Sequence, residues 1–315
     1  LLIDPDLIRS LENIGKDKGF SVIPGELLKE RSSMRLGGRC AAWCPVGDVA
    51  GLEGLCGFLE KYSLPWKIAG RGSNLLFPDE NIGVVFIELT GAFREMVFSG
   101  GLLRCGSGAG LSALISWGVK NGYSGFEGLI GIPGSVGGAV VMNASYKKAI
   151  SDLIESVLVM CPGGGILKKE HKDLRFGYRT SSLGKKDIVL RADLRPLPGR
   201  SDKVKDRAKI FFGEKKSKQP LGERTLGCVF KNPPGDLPEA GMLIERCGMK
   251  GFREGGAMIS EKHANFIVNR SCATSADVKK LIGKIKREVM SRFSIALETE
   301  IEILGESSSE GIHVH

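Results

Sequence analysis

Three glycine-rich stretches are the first places where residue type and spacing suggest chemistry. The segment Gly131-Ile132-Pro133-Gly134-Ser135-Val136-Gly137-Gly138-Ala139 puts four glycines into eight residues, with a proline to stiffen the loop. Main chain without Cβ atoms lets a flat or phosphorylated ligand lie directly against peptide N–H groups. Asn143, a few residues on, offers both a donor and an acceptor to a polar ring edge. Gly70-Arg71-Gly72-Ser73-Asn74 is a second such loop, whose exposed N–H groups and polar side chains suit a diphosphate. The third, Gly106-Ser107-Gly108-Ala109-Gly110, lies between a strand and a helix and imitates a dinucleotide turn. Its spacing is GxGxG rather than GxGxxG, and its flanks do not continue as regular βαβ units. It reads as a tight strand-to-helix connection rather than a Rossmann site.

The elements that must position these loops follow from hydrophobic periodicity. Strands are predicted at Ala41–Val46, Trp66–Ala69, Val84–Leu89, Leu102–Cys105, Val157–Cys161 and Ile188–Leu194, with helices at Ala50–Tyr62 and Leu111–Asn121. Pro196-Leu197-Pro198-Gly199-Arg200 reads as a linker. A charged helix over about Ser201–Ser217 opens a second unit. A strand at Ala264–Val268, a helix over Ser275–Ser291 capped by Ser275, and a final strand over Ala296–Leu304 complete it. Residues 306–315 read as a tail.

The chain has 315 residues, more than a single core usually serves, with 42% apolar and 26% charged residues. No apolar run approaches the roughly 20 residues of a membrane span, and the first ten residues lack a signal-peptide pattern, so the expectation is a cytoplasmic protein. Eight cysteines form no CxxC pair and only four histidines are present. Buried thiols in a reducing compartment are therefore expected, and no metal site. The net charge of +9 is spread along the chain, with local concentrations at Lys215, Lys216 and Lys218 and over Lys279–Arg287. Such charge attracts small anions as readily as nucleic acid.

An ordered set of motifs now matters: GRGSNLL at 70–76, GIPGSVGGAVVMNA at 131–144, FGYRTS at 176–181, GCVFKNP at 227–233, HANFIVN at 263–269 and LETEIEILGE at 297–306. Together, from about Gly25 to Gly305, they resemble the UDP-N-acetylenolpyruvoylglucosamine reductase (MurB) family. The resemblance implies an α+β chain: a two-subdomain FAD-binding fold of the vanillyl-alcohol-oxidase/PCMH type over 1–198 (parts about 1–90 and 91–198). A C-terminal α+β substrate-binding domain would follow over 199–305. It implies non-covalent FAD, held by Gly70, Arg71, Gly72, Ser73, Asn74, Gly131, Ile132, Pro133, Gly134, Ser135, Gly137, Gly138 and Asn143. It also implies NADPH as co-substrate and the reduction of UDP-N-acetyl-3-O-(1-carboxyvinyl)glucosamine to UDP-N-acetylmuramate, a peptidoglycan precursor.

The same resemblance gives Arg179, Cys228 and Glu300 catalytic roles, and Tyr178, Lys218 and Asn232 substrate contacts. The chemistry is coherent. Hydride addition to an enolpyruvyl double bond leaves negative charge beside the carboxylate, and a planar guanidinium grips that carboxylate in two places. Cys228 stands where many relatives carry Ser; with a free pKa of about 8.5 its thiol is a protonated acid at neutral pH. Glu298, Glu300 and Glu302 alternate, so a strand would put all three on one face. Two departures stand out. The loop after Asn143 reads Ala144-Ser145-Tyr146-Lys147-Lys148, a residue shorter than the AGAYG frequent in the family, and the short interval from Arg179 to Cys228 resembles the subclass without a tyrosine-bearing lid. A monomer is the expected state. The competing readings are a flavin oxidase of an alcohol or hydroxy acid on the same fold, and a basic nucleic-acid-binding protein without cofactor.

Overall fold

Asp4 accepts a hydrogen bond from the Asp6 N–H, Pro5 takes the first turn, and Gly19 in the left-handed region stops helix α1 (Pro5–Lys18). Sequence periodicity does not single this helix out; Leu11 and Gly15 are its buried residues. The computed structural model describes residues 3–184 and 186–305, so the expected tail at 306–315 lies outside the described residues.

The first sheet runs Ile23–Pro24, Cys40–Val46, Ile82–Leu89, Trp66–Ile68, with the last three strands mutually parallel. Cys40–Val46 and Ile82–Leu89 are near-continuous apolar runs because both sheet faces are covered. Helix α2 (Val49–Lys61) supplies Leu52, Leu55 and Leu59 to one face, while Trp43, Phe77 and Phe86 fill the other.

The second sheet is wholly antiparallel: Ile166–Glu170, Ile154–Met160, Ile188–Leu194, Leu102–Gly106, Met96–Ser99. Helices α3 (Leu111–Asn121) and α4 (Val136–Val141) pack their apolar residues into its core with Phe126 and Leu129. Leu197–Pro198 is not a free linker: it pairs with Tyr123–Ser124. Helix α5 (Ser201–Lys218) stays on this part of the molecule, since the Ser201 hydroxyl donates to Val119 O and Arg207 bonds Glu127 and Ser124.

The third sheet, Thr225–Cys228, Phe266–Asn269, Ala257–Ile259, Arg253–Glu254, is also antiparallel. It carries helices α6 (Ala240–Arg246) and α7 (Ser275–Phe293), and Met34, Leu36 and Leu76 of the N-terminal part share its core. The cap of α7 is Thr274, not Ser275. The Thr274 hydroxyl accepts from the Asp277 N–H, while Asp79 accepts from Ser275 and Ala276 N–H. The expected strand Ala296–Leu304 shortens to Glu302–Ile303, which pairs in parallel with Leu75–Leu76. Upstream of it the backbone bonds Val229 and Lys231 on one side and Asn74 on the other, a change of partner that breaks the ladder.

Candidate active site

The three glycine loops meet. Ser135 caps α4 by accepting from the Gly138 N–H, and this loop is stitched to residues 106–110 by Leu111 N–H to Gly134 O, Val136 N–H to Ala109 O and Gly137 N–H to Ser107 O. A Cβ on Gly137 would lie 2.9 Å from that of Ser107. The 70–74 loop closes the junction. Ser73 donates to Pro133 O, a Cβ on Gly70 would come within 3.0 Å of Ser135 Oγ, and the Arg71 guanidinium occupies the space over Gly110. Gly72 has φ +56°, and any Cβ there would meet Arg31 O at 2.0 Å. The 106–110 segment is thus the expected strand-to-helix connection and also one wall of the junction, which its spacing did not reveal.

Ser107 tests what the junction holds. Its hydroxyl is buried and has no hydrogen-bond partner in the protein. Buried hydroxyls are nearly always satisfied. An orphaned hydroxyl at a place where three glycine loops and an arginine meet fits a phosphate-bearing cofactor.

The second centre is assembled from remote segments. Arg179 sits in the two-residue turn between Phe176–Gly177 and Thr180–Ser181 with φ +57°, a left-handed conformation that costs a non-glycine residue free energy. Its Nε donates to Glu300 Oε1 at 2.7 Å and its Nη1 to the Ser145 hydroxyl at 2.9 Å. The Asn143 amide donates to Gly177 O and accepts from the Ser151 N–H, so this residue ties the turn to the glycine-loop helix. Ser145, in the segment that departs from the family pattern, does not stand out in the sequence; with a glycine there Arg179 would lack this partner.

Pairing of Phe230 with Thr299, and the Glu300 N–H to Val229 O bond, set Glu300 beside Cys228. The three alternating acids pair with three different cations. Glu298 is 73% exposed and pairs with Lys231, Glu300 is 14% exposed on Arg179, and Glu302 pairs with the buried Lys67. Between Glu300 and Glu302 the backbone changes partner from Val229 to Asn74, which interrupts the regular strand. Burial raises the Glu300 carboxyl above its ordinary value, against the pull of Arg179. Burial pushes the half-buried Cys228 thiol up to about 12, reinforced by Glu300 and opposed by Arg179 and Lys215. The acidity expected from a free cysteine is therefore not what the site sets.

Tyr178 is exposed, its ring 5.1 Å from the Arg179 guanidinium, and its hydroxyl accepts from the Asn232 N–H. The Asn232 side chain accepts from Ala240 N–H at the start of α6. Lys218 is exposed at the end of α5, whereas Lys215, one turn earlier, is buried and acts electrostatically on Cys228 and Arg179. Among the described residues no group of three His, Cys, Asp or Glu side chains could hold a metal ion.

Two family models match the chain: an FAD binding domain over residues 44–169, and the C-terminal domain of UDP-N-acetylenolpyruvoylglucosamine reductase over 219–304. The reductase of Heliobacterium modesticaldum is 37% identical over 90% of this chain and 91% of its own length; that of Moorella thermoacetica is 37% identical over 91% and 94%. The crystal structure of the Thermus caldophilus MurB superposes with a TM-score of 0.77 at 34% identity, covering 90% of this chain and 98% of that one. The chain belongs to the UDP-N-acetylenolpyruvoylglucosamine reductase family. Its fold is accordingly the FAD-binding architecture followed by the C-terminal MurB domain. All three glycine loops of this MurB-family chain fall inside the FAD-binding match, and Cys228 and Glu300 inside the C-terminal one. Arg179 and α5 lie between the two matches.

Proposed function

We propose that this chain reduces UDP-N-acetyl-3-O-(1-carboxyvinyl)glucosamine to UDP-N-acetylmuramate with NADPH, as an FAD enzyme of peptidoglycan precursor synthesis. The observation that carries this reading is the convergence of Arg179, Glu300 and Cys228 from separate segments in a chain of this family. Bound FAD supplies the two-electron carrier between NADPH and the substrate double bond. The residues that would hold it are those of the three-loop junction: Gly70–Asn74, Ser107 and Gly131–Gly138, with Asn143 bracing the loop from behind.

The rest of the chemistry belongs to side chains. Arg179, clamped by Glu300 and Ser145 before substrate arrives, meets the enolpyruvyl carboxylate without reorganising and stabilises the charge that spreads into it. Cys228 then gives its proton to the substrate carbon next to the carboxylate. A thiol held near 12 stays protonated through the neutral range and loses its proton only to a much stronger base, such as the enolate-like carbon. Tyr178, Lys218 and Asn232 form the rim that takes the nucleotide-sugar part. In this reading the FAD-binding part runs through α5, to about residue 218, rather than ending at 198, the substrate domain follows to 305, and the enzyme works as a cytoplasmic monomer. Among the described residues no helix is long and apolar enough to cross a membrane.

The test is anaerobic mixing of the purified, yellow protein. NADPH should bleach the flavin, and the enolpyruvyl sugar nucleotide should restore its colour. A flavin bleached by an alcohol or hydroxy acid and inert to NADPH would select the oxidase reading instead.

A further inference from the structure

The basic run near the end of α5 hides one residue that differs from its neighbours. Lys216 and Lys218 are exposed, but Lys215 is only 6% exposed. Its Nζ donates to Ile130 O at 3.2 Å and lies 4.7 Å from the Tyr146 ring centroid. Its aliphatic stem runs across Gly131, where a Cβ would come within 2.9 Å of Cδ. That glycine, at φ +71°, leaves room for the lysine. Both partners of the ammonium are neutral, and among the described residues no carboxylate pairs with it. A buried lysine without a counter-ion is costly, and burial lowers its pKa to about 8.

The charged groups around it explain what such an arrangement is for. From the 144–149 segment it faces Tyr146; Lys147 there is already paired with Glu214 of α5. From the 178–179 turn it feels Arg179, which Glu300 neutralises at 2.7 Å. From the third sheet it feels Cys228, a neutral thiol at ordinary pH. The remaining charge acting on Cys228 is Glu239, the weakest contributor there, while Lys231 acts on Glu300 and is itself paired with Glu298. Arg179 and Glu300 pair with each other and Glu239 is solvent-exposed, so Lys215 is the buried cation that the centre leaves without a carboxylate partner.

We propose that Lys215 is a specificity-determining residue whose unpaired cation, held by Ile130 and Tyr146 over Gly131, admits the substrate as a carboxylate and makes the filled site electrically neutral. This rests on the proposed function and deepens it. Arg179 still offers its remaining N–H donors to the carboxylate, but its charge is already balanced by Glu300; the charge that balances the incoming carboxylate is the one on Lys215. Because binding needs the ammonium form, affinity should be full below pH about 8 and fall as pH rises through that value.

The experiment is a titration of the oxidised, FAD-loaded enzyme with the enolpyruvyl sugar nucleotide, read from the flavin spectrum between pH 6 and 9.5. The wild type, Lys215→Met and Lys215→Arg are compared. The expected result is wild-type affinity that weakens above pH about 8. Lys215→Met should bind at least about tenfold more weakly at pH 7, with no such limb. Lys215→Arg should bind tightly with no loss up to pH 9.5. Removing an uncompensated buried charge should also leave the melting temperature of the empty Lys215→Met protein equal or higher, which loss of a merely structural contact would not. Lys215→Met affinity within twofold of wild type at pH 7, or an unchanged alkaline limb in it, overturns the inference. A poorly folded Lys215→Met shifts the decision to Lys215→Arg, where a persisting limb near pH 8 overturns it equally. Failure of the wild type to bind the sugar nucleotide at all would instead overturn the proposed function.

Discussion

The glycine-loop junction and the Arg179 centre are built on opposite principles. The junction is main chain: three loops stitched by N–H to carbonyl bonds, with glycines wherever a Cβ would collide with a neighbouring loop. The centre is side chain: Ser145, Arg179, Lys215, Cys228 and Glu300 come from separate segments and meet in a poorly solvated place where their charges shift one another. A backbone site tolerates change of side chains and fails when a glycine gains a Cβ. A side-chain site tolerates small backbone adjustment and fails when a charge is lost.

The difference can be broken by experiment. Arg179→Met, which keeps volume and removes the cation, should lower turnover with the enolpyruvyl substrate by about 10²–10³-fold while the protein still binds FAD. Loss of flavin from this variant would mean the two regions are not separable. Gly72→Ala should do the reverse. With φ +56° and a carbonyl 2.0 Å from the new Cβ, it should cost about 2 kcal/mol of stability or more and lower the flavin-to-protein absorbance ratio. Full flavin occupancy with an unchanged melting curve would contradict the close packing of that loop on Arg31. Ser145→Gly removes one hydrogen bond to a charged group and should lower turnover by about tenfold, with flavin content unchanged. No change in turnover would show that Glu300 alone suffices to hold Arg179.

The same contrast explains how much was legible in the sequence. Glycine is needed for a local reason, so the loops at 70–74 and 131–138 announce themselves as short motifs. Ile188–Leu194 and Leu111–Asn121 likewise coincide with the elements that periodicity predicts, because their burial is regular. That the 106–110 turn joins the junction depends on packing across the sheet and leaves no mark in its own spacing. The final strand was overdrawn because apolar and acidic residues alternate through 297–303 while the backbone changes partners. Alternation also suggested one face for Glu298, Glu300 and Glu302, which in fact reach Lys231, Arg179 and Lys67. Lys215 was visible only as one member of a basic run, since burial of a single lysine among exposed ones is a property of the fold. Arg179 and Glu300 could be found from the sequence by resemblance alone, because a contact between residues 121 positions apart has no local signature.

Proton delivery by the Cys228 thiol is the step most directly open to measurement. In an anaerobic stopped-flow experiment, Cys228→Ala should accept electrons from NADPH at nearly the wild-type rate, while reoxidation of its flavin by the enolpyruvyl sugar nucleotide should be slower by about 10²-fold or more. Cys228→Ser should recover much of that second rate. Equal losses in both half-reactions, or full activity in Cys228→Ala, would contradict proton delivery by Cys228.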